Sequence, residues 1–338
     1  MNSGGRAIVI AILTSGVALA AASRPARQPR ATERLIDEGQ RLFARVWTVA
    51  DGLGPTLNAR SCVGCHSIPR EGGSGTDSRA FVAIAPTVVD PSGGHVFRRL
   101  RVETTGAVTE QAPPLNSLLR KAPSLLGSGR IDEVPEAEIG RGVQAPAGRF
   151  GWKGRFRSIE DAVAAAFINE LGVGSARYPD RSAATAAHNG VELSEEQIQA
   201  VSAFIRALPA ASVKQPEITD GNKGREIFRE IGCVACHRAS FPTLEARGLY
   251  PYTDLLLHDM GPALADGLDE GGARGQDFKT PPLWGVASTG PPYLHDGRAK
   301  NLTEAIDAHG GEAESVIQAW RRLTTADRTL VIAFLRSL

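Results

Sequence analysis

The chain has 338 residues, of which 42% are hydrophobic and 22% are charged, and this composition excludes a chain that is disordered throughout. Its length is sufficient for two domains with separate cores. Lysine and arginine number 38 against 37 acidic residues, so the formal net charge of +1 gives no sign of a nucleic-acid partner.

The first predicted element along the chain is an export signal. Arg6 precedes an apolar run from Ala7 to Ala22, and a polar stretch that contains proline continues to Arg30. The apolar run is shorter than the ~20 residues that a membrane-spanning helix needs. We therefore predict a signal peptide at residues 1–22, export to the periplasm and no stable membrane span.

All four cysteines lie in two Cys-x-x-Cys-His motifs, and the motif residues are Cys62, Cys65, His66, Cys233, Cys236 and His237. In such a motif the two thiols add to the vinyl groups of one porphyrin, and the adjacent histidine binds the iron. A zinc site built from four cysteines would leave both histidines unused, and a redox dithiol would need a thioredoxin-like context. We predict two covalently attached haem c groups, with His66 and His237 as axial ligands.

The two halves of the chain repeat each other. Leu193–Leu208 aligns without a gap on Leu323–Leu338, and each segment reads as an amphipathic helix with a hydroxyl N-cap, Ser194 or Thr324. Pro209 ends the first of these helices and opens a linker. We predict an N-terminal cytochrome domain at 23–215 and a C-terminal cytochrome domain at 216–338.

A further repeat predicts that the two haems differ. Phe150–Val163 aligns with Tyr293–Ile306, and three more residues in the same register bring His309 opposite Ala166. We therefore predict His309 as the second axial ligand of the C-terminal haem and an open distal side on the N-terminal haem. The open alternatives are His258 or Met260 at the C-terminal iron and His95 at the N-terminal one.

With these segments the chain resembles the dihaem oxidoreductase family of peroxidases. This family is related to the bacterial dihaem cytochrome c peroxidases and to the dihaem enzyme that matures methylamine dehydrogenase. The segments that carry the resemblance are Asp51–Asn58, Ala122–Gly127, Phe150–Lys153, Leu256–Gly261, Thr280–Gly285, Tyr293–Arg298 and Glu304–Glu312. We accordingly expect an all-α fold of two fused class I-type cytochrome c domains, with long loops around two haems.

The resemblance also implies roles for single residues. In the peroxidase relatives the N-terminal haem reacts with hydrogen peroxide, and the C-terminal haem takes electrons from a small protein of the cytochrome c or cupredoxin type. Trp152 matches the tryptophan that relays electrons between the haems, whereas Ala162 replaces a distal glutamine. Glu170 falls at the position of the distal acid when a short deletion is allowed. A calcium ion at the domain interface is a further cofactor that the resemblance raises.

These observations favour a periplasmic dihaem peroxidase in which Trp152 and Glu170 are catalytic. Two other functions fit the same motifs. One is a non-catalytic electron carrier in which both irons have two protein ligands. The other is an oxidase or oxygenase that acts on dioxygen or on another protein.

Overall fold

The structure, a computed structural model, describes Met1 and residues 31–103, 107–140, 148–180, 189–210 and 219–338. The predicted signal peptide beyond Met1 and the predicted domain boundary near residue 215 lie outside the described residues. No helix within these ranges combines the length and the apolar character needed to cross a bilayer.

Helices make up most of the regular structure. The α-helices of the described residues are α1 (Ala31–Ala44), α2 (Ser128–Asp132), α3 (Glu136–Ile139), α4 (Ile159–Ala166), α5 (Glu195–Ala207), α6 (Thr219–Glu230), α7 (Pro242–Glu245), α8 (Val286–Thr289), α9 (Leu302–Asp307), α10 (Glu314–Arg322) and α11 (Thr325–Arg336). A π-helix at Phe167–Leu171 directly continues α4.

The repeated terminal helices form as predicted. The Ser194 hydroxyl accepts a hydrogen bond from the Gln197 amide at the start of α5, and the Thr324 hydroxyl accepts one from the Asp327 amide at the start of α11. Each cap satisfies an amide that has no partner within its helix. The predicted N-caps and the two helices are confirmed.

Each half contains a pair of packed helices at the equivalent place in the repeat. α1 packs on α5, and α6 packs on α11. A Cβ added at Gly39 of α1 would lie 1.9 Å from the Ala200 carbonyl oxygen, and one added at Gly224 of α6 would lie 2.1 Å from the Leu330 oxygen. Because Ala200 and Leu330 are paired in the sequence repeat, the same glycine contact lets both helix pairs approach closely.

Each half has its own apolar core. The first core includes Leu42, Trp47 and Phe167, and the second includes Phe228, Trp320 and Phe334. A smaller cluster joins residues of both halves, among them Ile131, Val134, Phe241 and Trp284. This third cluster holds the two halves together beside the site described below.

The expectation of an all-α fold is incomplete, because short antiparallel strands accompany the helices. The strands of the described residues are β1 (Thr56–Leu57), β2 (Phe81–Ile84), β3 (Val96–Phe97), β4 (Leu100–Val102), β5 (Val108–Glu110), β6 (Leu118–Lys121), β7 (Leu257–Asp259) and β8 (Asp277–Lys279). They form the sheets β1-β4-β5, β3-β2-β6 and β7-β8. Strands of two to four residues are too short to show the alternation of apolar and polar residues by which sequence analysis recognises a strand.

Candidate dihaem site

One cavity of about 640 Å³ lies between the halves and is lined by residues of both Cys-x-x-Cys-His motifs. Each motif begins with a 3₁₀ turn, Cys62–Gly64 or Cys233–Ala235, which brings its two cysteines and its histidine to the cavity wall. The His66 amide donates to the Cys62 carbonyl oxygen at 3.0 Å, and the His237 amide donates to the Cys233 oxygen at 2.9 Å. The two turns therefore present their side chains in the same way.

The motif histidines are held in the neutral form that a metal ligand requires. Nδ1 of His66 lies 3.0 Å from the Gly73 carbonyl oxygen, and Nδ1 of His237 lies 3.0 Å from the Tyr252 oxygen. Because a carbonyl oxygen only accepts, Nδ1 carries the proton and Nε2 carries the lone pair that a metal needs. Burial lowers the pKa of His66 and lowers the pKa of His237 to about 4, which also favours the neutral ring.

The thiols do not have the properties of a redox dithiol. All four cysteines are free, and burial raises the pKa values of Cys62, Cys65 and Cys233 to about 12. A reactive cysteine needs a lowered pKa and a cationic neighbourhood. Paired thiols beside a ligand histidine at the wall of a large apolar cavity instead suit thioether attachment of a porphyrin.

His309 lies in the same cavity as His237, just after α9. Its Nδ1 is 2.7 Å from the Ala305 carbonyl oxygen, so this ring also keeps the lone pair on Nε2. The positive form of His309 contributes to the lowered pKa of His237, after the larger effect of burial. Both rings line the same cavity and are close enough for the charge of one to act on the other.

His258 is a poor alternative ligand because both of its ring nitrogens are occupied. Nε2 lies 2.9 Å from Asp254 Oδ2, and Nδ1 lies 2.8 Å from Glu312 Oε2. Burial alone would lower the pKa of His258, but its hydrogen bonds with Asp254, Cys236 and Glu312 outweigh burial and raise the pKa to about 11. A protonated imidazole has no lone pair for iron. The other alternative, Met260, also lines the cavity.

In the described part of the first half, the position equivalent to His309 carries an alanine, Ala166. Ala162 and Ala166 of α4 line the cavity, and Ala166 is exposed to it. His95 is not among the lining residues, and its Nδ1 lies 2.8 Å from the Val88 carbonyl oxygen. The structure places Ala166, the partner of His309 in the repeat, at the cavity wall, and the open distal side of the N-terminal haem stays a prediction.

Glu170 lies on the π-helix and faces the cavity beside the first motif. Its Oε2 accepts a hydrogen bond from Asn58 Nδ2 at 3.1 Å. Burial raises the pKa of Glu170 to about 7, and the negative charge of Asp90 adds to this, while Asn58 and Arg98 act in the opposite direction. A carboxyl group with this pKa can both take up and release a proton near neutral pH.

Trp152 connects the two halves at the cavity wall. Its Nε1 donates to the Lys121 carbonyl oxygen at 2.7 Å, and its own carbonyl oxygen accepts from the Lys279 amide at 2.9 Å. The edge of the indole meets His295, whose ring stacks on Phe278 at a centroid distance of 4.0 Å. The predicted relay residue therefore lies in a continuous aromatic group.

Sequence reasoning missed the buried charges around this tryptophan. Arg120 pairs with Asp266 at 2.6 Å and with Glu270 at 2.5 Å, and Lys153 Nζ lies 3.1 Å from Asp266. Arg155 also faces Glu270, at 3.7 Å. Neither composition nor local pattern signals that these residues are buried together, because they come from distant segments.

The same pairs bear on the calcium ion that was expected at the interface. Calcium takes six to eight oxygen ligands. Asp266 and Glu270 are both paired with cations, and the carbonyl oxygens of Arg274 and Asp277 accept from Lys153 Nζ at 2.8 and 3.2 Å. Asp266 and the two carbonyl oxygens thus surround the Lys153 ammonium, and Glu270 pairs with Arg120 and Arg155, so cations of the protein already occupy these oxygens. A calcium ion elsewhere at the interface stays a prediction.

Comparison with known sequences now decides the family. The profile of the family "Di-haem oxidoreductase, putative peroxidase" matches residues 130–338, which is more than half of the chain. The chain belongs to this family. The match includes the second Cys-x-x-Cys-His motif, Trp152, Glu170 and His309, whereas the first motif precedes it. No curated protein sequence shows significant similarity to the chain.

Solved structures show a related fold. The dihaem peroxidase BthA from Burkholderia thailandensis is 18% identical with a TM-score of 0.52, and the match covers 90% of this chain and 86% of BthA. A variant of BthA has a TM-score of 0.53 at 16% identity, with coverage of 92% and 86%. Hydrazine synthase from Kuenenia stuttgartiensis, under xenon pressure, has a TM-score of 0.50 at 16% identity and covers 99% of this chain and 100% of its own.

Membership in the dihaem family implies two haem cofactors and a peroxidase-like oxidoreductase. The site fits two haems on four counts. These are the size of the cavity, the two pairs of thiols at its wall, the histidines with Nε2 as the ligand atom, and buried cations on the same wall.

Proposed function

We propose that the protein is a periplasmic peroxidase that holds two covalently attached haem c groups and reduces hydrogen peroxide at the N-terminal one. In this proposal Cys62 and Cys65 bind the first haem with His66 as its ligand, and Cys233 and Cys236 bind the second. His237 and His309 are the axial ligands of the second haem.

The observation that carries the proposal is the difference between the two halves at one repeated position. His309 lines the cavity and its charge acts on His237. Ala166, at the equivalent position of the first half, also lines the cavity but has no ligand atom, and the nearby Glu170 is close enough for its charge to act on Cys62 and Cys65. An iron with two protein ligands transfers electrons but does not bind a small molecule, whereas an iron with one open face does. The arrangement therefore favours separate sites for electron uptake and for the reaction with peroxide.

Haem iron, when bound, supplies the redox chemistry, and the protein residues supply proton transfer and electron positioning. Reduction of one peroxide molecule to two water molecules consumes two electrons and two protons. Asn58 donates to Oε2 of Glu170, and Oε1 would accept one proton of peroxide and return it to the oxygen that leaves as water, while the haem would supply the electrons. A pKa of about 7 suits both transfers.

Trp152 gives the electrons a path between the halves. Its indole Nε1 donates to the Lys121 carbonyl oxygen, and its backbone carbonyl oxygen accepts from the Lys279 amide. The indole and the His295 ring meet in a T-shaped contact. A fixed aromatic ring between donor and acceptor shortens the steps of electron transfer. We propose that a small cytochrome c or cupredoxin delivers electrons at the second haem.

The test uses the purified holoprotein. Absorption and EPR spectra of the fully reduced protein are recorded with and without carbon monoxide, and hydrogen peroxide is then titrated in the presence of a reduced small cytochrome. We expect one of the two irons to bind carbon monoxide and peroxide to be consumed as the donor is oxidised. Failure of both irons to bind carbon monoxide would indicate an electron carrier, and consumption of dioxygen without use of peroxide would indicate an oxidase.

A further inference from the structure

Lys279 is a buried cation for which the described residues offer no partner. Its side chain lies at the C-terminal end of β8, the residue is 7% exposed, and it lines the cavity. No hydrogen bond or ion pair of its Nζ is formed with any described residue. Burial lowers the pKa of Lys279 to about 8 even though the negative charge of Asp254 opposes the shift.

Lys121 is in a similar position on the other half. It is the last residue of β6, is 6% exposed and lines the same cavity. Its Nζ donates to the Pro292 carbonyl oxygen at 2.6 Å, but it pairs with no carboxylate of the described chain. Burial lowers the pKa of Lys121 to about 8.

Both lysines adjoin Trp152. The Lys279 amide donates to the Trp152 carbonyl oxygen at 2.9 Å, and the indole Nε1 donates to the Lys121 carbonyl oxygen at 2.7 Å. The neighbouring Lys153 differs, because Asp266 lies 3.1 Å from its Nζ and the Phe278 ring lies 4.3 Å from it. Two of the three lysines next to Trp152 thus form no ion pair with a described residue, although the charge of Asp254 acts on Lys279.

A buried ammonium without a counter-ion is costly, and the cost disappears only if the group becomes neutral or gains an anion. Two uncompensated cations on the wall that carries Trp152 would also oppose the loss of an electron from its indole, since charges of the same sign repel at low dielectric. An anion bound at this wall of the cavity would therefore stabilise the two ammonium groups in their charged form. The anionic groups of haem are its two propionates.

We propose that Lys121 and Lys279 are the anion-binding residues of this cavity and that each binds a haem propionate beside Trp152. The inference rests on the proposed function only in requiring that both haems are bound. It assigns to these lysines two tasks, the positioning of the haems relative to the indole and the setting of the reduction potential.

The expected size of the electrostatic effect follows from Coulomb's law. A unit positive charge about 10 Å from the iron, at an effective dielectric constant of about 20, favours the reduced form by roughly tenfold in the equilibrium constant. For one-electron transfer a tenfold change corresponds to about 59 mV. Loss of either lysine should therefore lower the potential of the haem that it serves by about this amount.

The experiment compares haem-loaded Lys121→Met and Lys279→Met with the wild type by spectroelectrochemical titration of each haem. The arginine variants K121R and K279R retain the charge, and Lys300→Met is the control, since Lys300 is exposed and does not line the cavity. We expect a lower potential in each methionine variant, recovery in the arginine variants and no change in the control. A second measurement needs no variant: the resonance Raman propionate bands of the wild type should shift in deuterated water because the ammonium hydrogens exchange.

Haem content is measured first, as the pyridine haemochrome. This measurement distinguishes a failure of the proposed function from a failure of the assignment of the lysines. A chain without covalent haem contradicts the proposed function itself. If haem is present, methionine variants with the potentials of the Lys300→Met control overturn the assignment of the lysines. If a methionine variant does not fold, the Raman measurement on the wild type decides. Propionate bands that do not shift in deuterated water would overturn the assignment of the lysines.

Discussion

Replacement of Glu170 by glutamine should slow the reaction and stabilise the protein at the same time. The substitution keeps the shape of the side chain and an oxygen that can accept the hydrogen bond from Asn58 Nδ2. It removes only the ability to exchange a proton. Loss of a general acid-base group typically costs 10²–10⁴-fold in rate.

The change in stability follows from the pKa of Glu170, which burial raises from its ordinary value of 4.5 to about 7. Between these pH values the native state binds the proton more tightly than the unfolded state does, so the free energy of unfolding falls as the pH rises. Each pH unit of that interval corresponds to about 1.4 kcal/mol, which gives a loss of about 3 kcal/mol by pH 8. Glu170→Gln should lack this loss.

The assay pairs denaturant unfolding of the holoprotein at pH 5 and pH 8 with stopped-flow peroxide consumption over the same range. The wild-type rate should fall as the pH drops below about 7, because Glu170 then becomes protonated and cannot accept the peroxide proton. The variant should be slow at every pH. It should also be more stable than the wild type at pH 8 and similar to it at pH 5.

Glu195→Gln is the matched control. Glu195 is exposed in the first turn of α5, and its hydrogen bonds with Arg177 lower its pKa to about 2. Its contribution to stability therefore has the opposite sign, since it is present at neutral pH and is lost as the pH falls toward 2. Peroxide turnover should be unchanged. The assignment of Glu170 is refuted if Glu170→Gln retains the wild-type rate and pH profile.

Two further substitutions test other parts of the site. His309→Ala should convert the second haem from low spin to high spin and allow it to bind carbon monoxide, as read by EPR and absorption spectra, whereas an unchanged low-spin signal would identify Met260 as the ligand. Arg120→Met should lower the free energy of unfolding by about 3 kcal/mol, measured by urea denaturation, because two buried carboxylates lose their shared partner. Arg79→Met, which removes an exposed pair, should have almost no effect, and equal losses in both variants would contradict the argument from burial.

The sequence alone supports a prediction wherever a short segment carries its own chemistry or its own repeat. The Cys-x-x-Cys-His motifs predicted haem attachment, and the N-caps Ser194 and Thr324 predicted the helices that begin there. The same repeat predicted that the two halves differ between His309 and Ala166, and the family match supports the general reading as a dihaem oxidoreductase. These are local features, so each can be recognised without knowledge of its neighbours in space.

Tertiary structure alone decided what surrounds these residues. Lys121 and Lys279 are ordinary polar residues in the sequence, and only the approach of β6 and β8 to Trp152 makes them buried cations. In the same way His258 is disfavoured as a ligand by its hydrogen bonds with Asp254 and Glu312, of which Glu312 is 54 residues away. Solvation and charge pairing depend on distance in space, and segments far apart in the chain set that distance.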